Sequence, residues 1–224
     1  MARSTNTEAV ETRRRILHAA EQILHVQGVA RTSLGDIATA VRVPRGAIYW
    51  HFANKAELFN AMCERVRLTL EATVKNAQEG QHAQRGKADN GTRKADRLGQ
   101  LRSACLFAID AVVRDAHART VFDILFHKCE FVALDDPVWQ HQRECFADGS
   151  ANILRLLERA CASGQLPIDL DADLAAVTLH AMLDGLINNW LFAPERFALG
   201  LQAPRLIDAC FASLRTVPHY RRVV

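Results

Sequence analysis

The sequence has almost no run in which β-branched residues alternate between turn clusters, which leaves no basis for a sheet and points to an all-α fold. No apolar run approaches the ~20 residues that a bilayer span requires. The basic residues of MARSTNTEAVETRRR are not followed by an apolar h-region, so no secretory signal is expected and the cytoplasm is the expected compartment. Six cysteines (Cys63, Cys105, Cys129, Cys145, Cys161 and Cys210) form no C-x-x-C pair. In a reducing compartment they are small buried hydrophobes. The nearest cluster of potential ligands, His127, Cys129 and Glu130, lacks an established metal spacing, so no metal or cofactor is expected. A Gly-rich phosphate loop, a His-x-x-x-His pair and a nucleophile elbow are also missing, so turnover chemistry is not expected.

What is present begins with charge. The 224 residues are 49% hydrophobic and 24% charged, an ordinary globular composition with a net charge of +3. Residues 1–55 hold eight Lys or Arg (at 3, 13, 14, 15, 31, 42, 45 and 55) against four acids (at 8, 11, 21 and 36), a net of +4. The other 169 residues therefore net −1. A positive excess confined to the first quarter points to a polyanionic partner for that part.

Helical periodicity fills most of the chain. Ile16, Ala20, Ile23 and Leu24 form one stripe on a helix expected over Glu8–Gln27, closed by Gly28. Ser33 and Asp36 are spaced as the capping box of a second helix with the stripe Leu34, Ile37, Ala38 and Val41. A third helix starts at Pro44 or Arg45, and Asn54 with Glu57 caps a fourth. Further stripes predict helices over Leu98–Arg114, Ala118–Leu134, Val138–Ser163, Ala172–Phe192 and Ala203–Val217, about nine in all. Residues 76–97 carry little that is apolar beyond alanine and are expected to be a flexible connection. The division of labour is then 1–55 for a basic three-helix unit and 56–224 for a larger helical body.

Helices two and three, joined across 42–44, make a helix-turn-helix. The stretch VPRGAIYWHFANKAELF mixes aromatic and cationic side chains, which suits a surface that binds something polar and negatively charged. Such a motif lays its second helix in the DNA major groove. Arg45 stands where it can reach a guanine edge or a phosphate. Gly46 and Ala47 are small enough to let the backbone approach DNA closely. Tyr49, His51 and Lys55 suit phosphate oxygens, as do Thr32 and Ser33 at the start of helix two. Trp50 and Arg42 complete the expected DNA surface, while Ile48 and Phe52 anchor the helix inwards.

Residues 8–59 closely resemble the DNA-binding domain of the TetR family of transcriptional repressors. The segments ILFHKCEFV (124–132) and DGLINNWLFAPERF (184–197) resemble their counterparts in the AcrR-like regulators of multidrug efflux. The resemblance implies a homodimer on a palindromic operator beside an efflux operon, released when a lipophilic or cationic drug binds. The turn departs from the family. Val41-Arg42-Val43-Pro44 stands where Ala-Gly-Val followed by Thr or Ser is usual. Arg42 in place of a glycine with φ > 0 costs ~1 kcal/mol if that conformation is kept, and Pro44 removes a capping hydroxyl.

In the body, Asp184 lies among Met182, Leu183, Leu186 and Ile187, with His180 one turn earlier on the same face. A buried carboxylate needs a partner, water or a ligand. The resemblance implies that this aspartate faces a drug pocket. Leu183, Ile187, Phe146 and Ile153 are candidate lining residues, as are Phe122, Phe126 and Phe131, with Val66 and Leu70 from helix four. Val177, Ala181 and Trp190, with Leu206, Cys210, Leu214 and Val217, are candidates for a four-helix dimer interface. A TetR-type regulator that answers a metabolite or a redox signal is the alternative.

Overall fold

A computed structural model describes residues 2–69, 96–130 and 137–221. Nine α-helices and no strand occur among the described residues. They are α1 (Ala2–Gln27), α2 (Leu34–Ala40), α3 (Arg45–His51), α4 (from 55, described to 69), α5 (Arg97–Arg114), α6 (Ala116–His127), α7 (Pro137–Ala162), α8 (Ala172–Phe192) and α9 (Leu199–Thr216). A 3-10 turn, Pro218–Tyr220, follows. No described helix is long and apolar enough to cross a membrane. The connection expected over 76–97 lies outside the described residues up to position 95.

The helix ends follow from local chemistry. Gly28, at φ 83°, closes α1 with its amide on the Leu24 carbonyl at 2.9 Å. Ser33 and Asp36 form the expected capping box of α2, and the Asn54 side chain accepts from the Glu57 amide at 2.8 Å ahead of α4. Asp96 and Asp171 cap α5 and α8 through the Gly99 and Leu174 amides. Three boundaries differ from the periodicity by more than two residues, the first being α1, which begins at Ala2 rather than Glu8. α6 stops at His127 rather than reaching 134, and α9 begins at Leu199, four residues before Ala203. Pro204 therefore lies inside α9, where it removes only the bond to the Gly200 carbonyl, near the start of the helix.

The chain forms two compact units. One comprises Met1–Leu68 with Ala116–Arg143, the other Thr69–Asp115 with Glu144–Val224. In the first, α1 packs on α2 and α6, and α2 on α3. Ile16, Leu24, Ile37, Ile48, Phe52, Leu58, Phe59 and Met62 are fully buried there. The core also encloses a carboxylate. Glu21 of α1 is 1% exposed. It accepts from Arg65 Nη2 of α4 at 2.6 Å and lies 2.7 Å from His117 Nδ1 of α6. Arg65 Nε donates to His117 Nε2 at 3.0 Å, and Arg65 Nη2 lies 3.0 Å from His117 Nδ1. A second carboxylate, Asp123 of α6, takes His25 of α1 at 3.0 Å and His127 at 2.7 Å. In the second unit α5, α8 and α9 pack together, with Ile109, Val112, Leu179, Ile187 and Ile207 in the core. An exposed pair, Arg102 with Asp208, clips α5 to α9.

Candidate DNA-reading face and ligand site

Ile48 and Phe52 are 0% and 1% exposed, and the Arg13 guanidinium lies 4.9 Å over the Phe52 ring. With that edge of α3 fixed inwards, Tyr49 (49% exposed) and Trp50 (78%) face out with Arg45 and Gly46. His51 meets the Trp50 ring edge-on at 5.6 Å. A Cβ on Gly46 would meet nothing within 4 Å, so open space fronts the helix start. An open groove of about 420 Å³ runs there, lined by Glu8, Ala9 and Thr12 of α1 and by Gly46, Ala47, Trp50 and His51 of α3. Glu8, Ala9 and Thr12 lie within the helix expected over Glu8–Gln27 but were not selected for the DNA surface, because none is cationic and none belongs to its apolar stripe.

Arg45 reaches across to α2. A Cβ on Gly35 would lie 3.5 Å from its Nε. Hydrogen bonds from the Ser33 hydroxyl and amide, and then the Arg45 charge, hold the Asp36 carboxyl below its ordinary range. The guanidinium is thus placed between the N-terminal ends of α2 and α3, the two helix ends a phosphate would approach.

The turn keeps the conformation that the missing glycine would have served. Arg42 has φ 56° and is the only non-glycine residue with positive φ among those described. Its amide bonds the Thr39 carbonyl at 3.1 Å and the Val43 amide bonds Ala38 at 3.0 Å, the two bonds of a Schellman cap. Arg15 adds a third contact by donating to the Val41 carbonyl at 2.8 Å. The Arg42 side chain is exposed.

Three expected phosphate-binding side chains are occupied within the protein. Thr32 is 2% exposed and donates to the Gly28 carbonyl, so its hydroxyl fills the turn after α1 and is not a surface donor. The Ser33 hydroxyl is engaged with Asp36 in the capping box. Lys55 Nζ donates to the Val29 carbonyl at 2.6 Å, with Ala30 O at 3.5 Å, so it staples the turn before α2 to the start of α4.

In the second unit, α7 and α8 bring Phe146, Ser150, His180 and Asp184 together. The His180 ring lies on Phe146 with centroids 4.5 Å apart and 15° between planes. Its Nδ1 is 2.7 Å from Ser150 Oγ and its Nε2 is 3.8 Å from Asp184 Oδ2. Burial pushes the Asp184 carboxyl above its ordinary range, and the His180 charge pulls it back down. Ile153 is half-buried, whereas Leu183 and Ile187 face the core of the unit. Val66 is buried in the first unit, where Phe122 stacks on Phe126 at 6.1 Å. Leu70 and Phe131 lie outside the described residues.

On α8, Val177 is 63% exposed, and Ala181 is exposed one turn further on. Leu174 and Phe192, which the sequence reading did not select, are exposed on the same side of the helix. Leu206 of α9 is exposed, and Trp190, Cys210 and Val217 are half-buried. Leu214 is 0% exposed and packs inside its own unit, which removes it from the candidate dimer face. No group of three or more His, Cys, Asp or Glu side chains that could hold a metal ion occurs among the described residues.

A helix-turn-helix with an exposed basic and aromatic second helix, joined to an all-α body, defines a DNA-binding regulator. Residues 16–62 match the TetR family of bacterial regulatory proteins, and residues 96–216 match the C-terminal region of MAATS-type transcriptional repressors. The regulator TtgR of Pseudomonas putida is 38% identical over 99% of this chain and 100% of its own. NalD, described as the secondary repressor of the MexAB-OprM multidrug efflux pump in Pseudomonas aeruginosa, is 32% identical with a TM-score of 0.72, over 92% of this chain and 98% of that one. SmeT, described as repressor of the Stenotrophomonas maltophilia pump SmeDEF, has been solved with triclosan. It aligns with a TM-score of 0.76 at 26% identity over 96% of each chain. The chain belongs to the TetR family of transcriptional repressors.

Proposed function

We propose that the protein is a cytoplasmic homodimeric repressor of a multidrug efflux operon, released from a palindromic operator by lipophilic or cationic drugs. The observation that carries the DNA half is α3, sealed on one side by Ile48 and Phe52 and open on the other with Arg45, Gly46, Tyr49 and Trp50. The +4 excess of residues 1–55 supports it, since phosphate neutralisation dominates affinity for DNA. Arg42 and Arg45 are the cations whose exposed side chains serve best, with Tyr49 and His51 as further phosphate donors. Lys55, Thr32 and Ser33 act chiefly by shaping the turns that present them.

The efflux role is supported by relatives described as multidrug-pump repressors. Asp184 is the proposed handle for a cationic drug, because a half-buried carboxylate gains most from an incoming positive charge. Two α3 helices in a dimer must lie about 34–36 Å apart, or a multiple, to enter successive major grooves. A drug releases the protein only if it binds the DNA-free arrangement better than the bound one. The exposed Leu174, Val177 and Ala181 of α8, with Leu206 of α9, are the proposed dimer face.

The protein acts by binding rather than turnover. A redox signal is disfavoured at two thiols, since burial pushes Cys105 up to about 12 and Cys210 upward as well. Footprinting on the DNA upstream of its own gene tests the reading. A protected palindrome supports it, and uniform weak protection refutes it.

A further inference from the structure

His180 is placed as a ligand would be placed. Its imidazole lies flat on Phe146 at 4.5 Å, its Nδ1 is 2.7 Å from the Ser150 hydroxyl, and its Nε2 edge faces the Asp184 carboxylate at 3.8 Å. Gly149 borders the ring, where a Cβ would stand in van der Waals contact, 3.4 Å from His180 Cε1. The phenyl ring beneath remains 57% exposed, and the Asp184 side chain 38%. A phenyl platform, a carboxylate and a hydroxyl arranged around one small aromatic nitrogen ring form the recognition set for a planar aromatic cation. The side chain filling that set is itself such a ring, and it is cationic when protonated.

We propose that His180 is a built-in stand-in for an aromatic-cation inducer, occupying the stacking and charge positions that the inducer takes over when the imidazole swings away. The proposal rests on the ligand role of Asp184 argued above. Two features make the stand-in a weak occupant that a ligand can displace. At 3.8 Å the imidazole is beyond hydrogen-bonding distance of the carboxylate, so Asp184 keeps an unmet demand for a closer cation. His180 and Asp184 also lie one turn apart on the same helix, and the shared backbone fixes how closely the two side chains can meet. An incoming aromatic cation replaces one stacked ring by another and adds a nearer charge. The Asp184 carboxyl, held above its ordinary range by burial, is the group that such a charge relieves.

Calorimetry on the DNA-free protein with ethidium as the probe tests this. His180→Ala removes the competitor and is expected to bind ethidium roughly 2- to 30-fold more tightly than the wild type, the range that one cation–ring contact spans. Free imidazole added to the His180→Ala protein should refill the vacated place and weaken ethidium binding there, while leaving the wild type unaffected. A purely structural role for His180 predicts the opposite, with weaker binding in the variant and no competition by imidazole, and either result overturns the stand-in. His180→Gln serves if the alanine variant does not fold, with tighter ethidium binding again expected. Asp184→Asn separates the two levels of the argument. No ethidium binding to the wild type, or binding indifferent to Asp184→Asn, overturns the ligand reading of the site. Binding that needs Asp184 but is not tightened by His180→Ala overturns the stand-in alone.

Discussion

Arg42→Gly is expected to make the protein more stable while weakening its hold on DNA. Arg42 has φ 56° at the position after the α2 cap, where both amide bonds of a Schellman motif converge. A side chain in this region costs ~1–2 kcal/mol, because Cβ crowds the following carbonyl. Glycine removes that strain but gives the unfolded chain more freedom, which takes back ~0.5–1 kcal/mol. The net gain is ~0.5–1 kcal/mol, or a rise of roughly 1–4 °C in melting temperature for a chain of this size. Thermal unfolding followed by circular dichroism at fixed protein concentration reads it. Arg42→Ala is the control, since it removes the same charge and keeps the strained backbone, so it should not gain stability. Both variants should reduce the salt dependence of operator binding by about 0.9 in log–log slope for each phosphate that is no longer neutralised. A melting temperature that is unchanged or lower in Arg42→Gly refutes the strain argument. An unchanged slope in both variants removes Arg42 from the DNA surface.

Glu21→Ala should destabilise the first unit by roughly 2–4 kcal/mol, below the fully buried figure because Arg65 is one-third exposed, and denaturant unfolding measures it. Tyr49→Ala should weaken operator binding in a shift assay without a change in melting temperature, whereas Lys55→Ala should lower stability by about 1–2 kcal/mol through loss of its bond to the Val29 carbonyl. Affinity for a cationic drug should fall as pH falls, beginning above the ordinary aspartate range, because burial makes Asp184 take up its proton early and lose the charge that holds the drug. Calorimetry across a pH series checks it, and affinity constant down to the ordinary carboxylate range contradicts it.

The helices and their caps were legible wherever a short polar residue met an apolar stripe, as at Ser33–Asp36 and Asn54–Glu57. α9 was less legible, because Pro194, Gly200 and Pro204 look like punctuation, yet a proline early in a helix forfeits only one bond. The recognition helix could be read because alternate sides of α3 differ in chemistry, with Ile48 and Phe52 inside and Tyr49 and Trp50 outside. The occupied donors could not. Whether Lys55 reaches a phosphate or the Val29 carbonyl depends on where the chain 26 residues earlier comes to rest, and side-chain identity does not encode that. The same holds for Glu21, an apparent surface acid on an amphipathic helix that becomes buried because α4 and α6 deliver Arg65 and His117 to it. The strain at Arg42 was visible only through its departure from the familiar turn, and the backbone retained the glycine conformation.

The proposed regulation turns on one coupling, that drug in the body releases the reading helices from DNA. Anisotropy of labelled DNA from upstream of the gene, bound by the protein and titrated with a lipophilic cation, measures it directly. Linkage requires the drug to weaken DNA binding by the same factor that DNA weakens drug binding. The expected result is release of the wild type at drug concentrations near its own dissociation constant, with Asp184→Ala remaining on the DNA over the same range. DNA that stays bound at saturating drug, or an Asp184→Ala protein that releases like the wild type, contradicts that coupling.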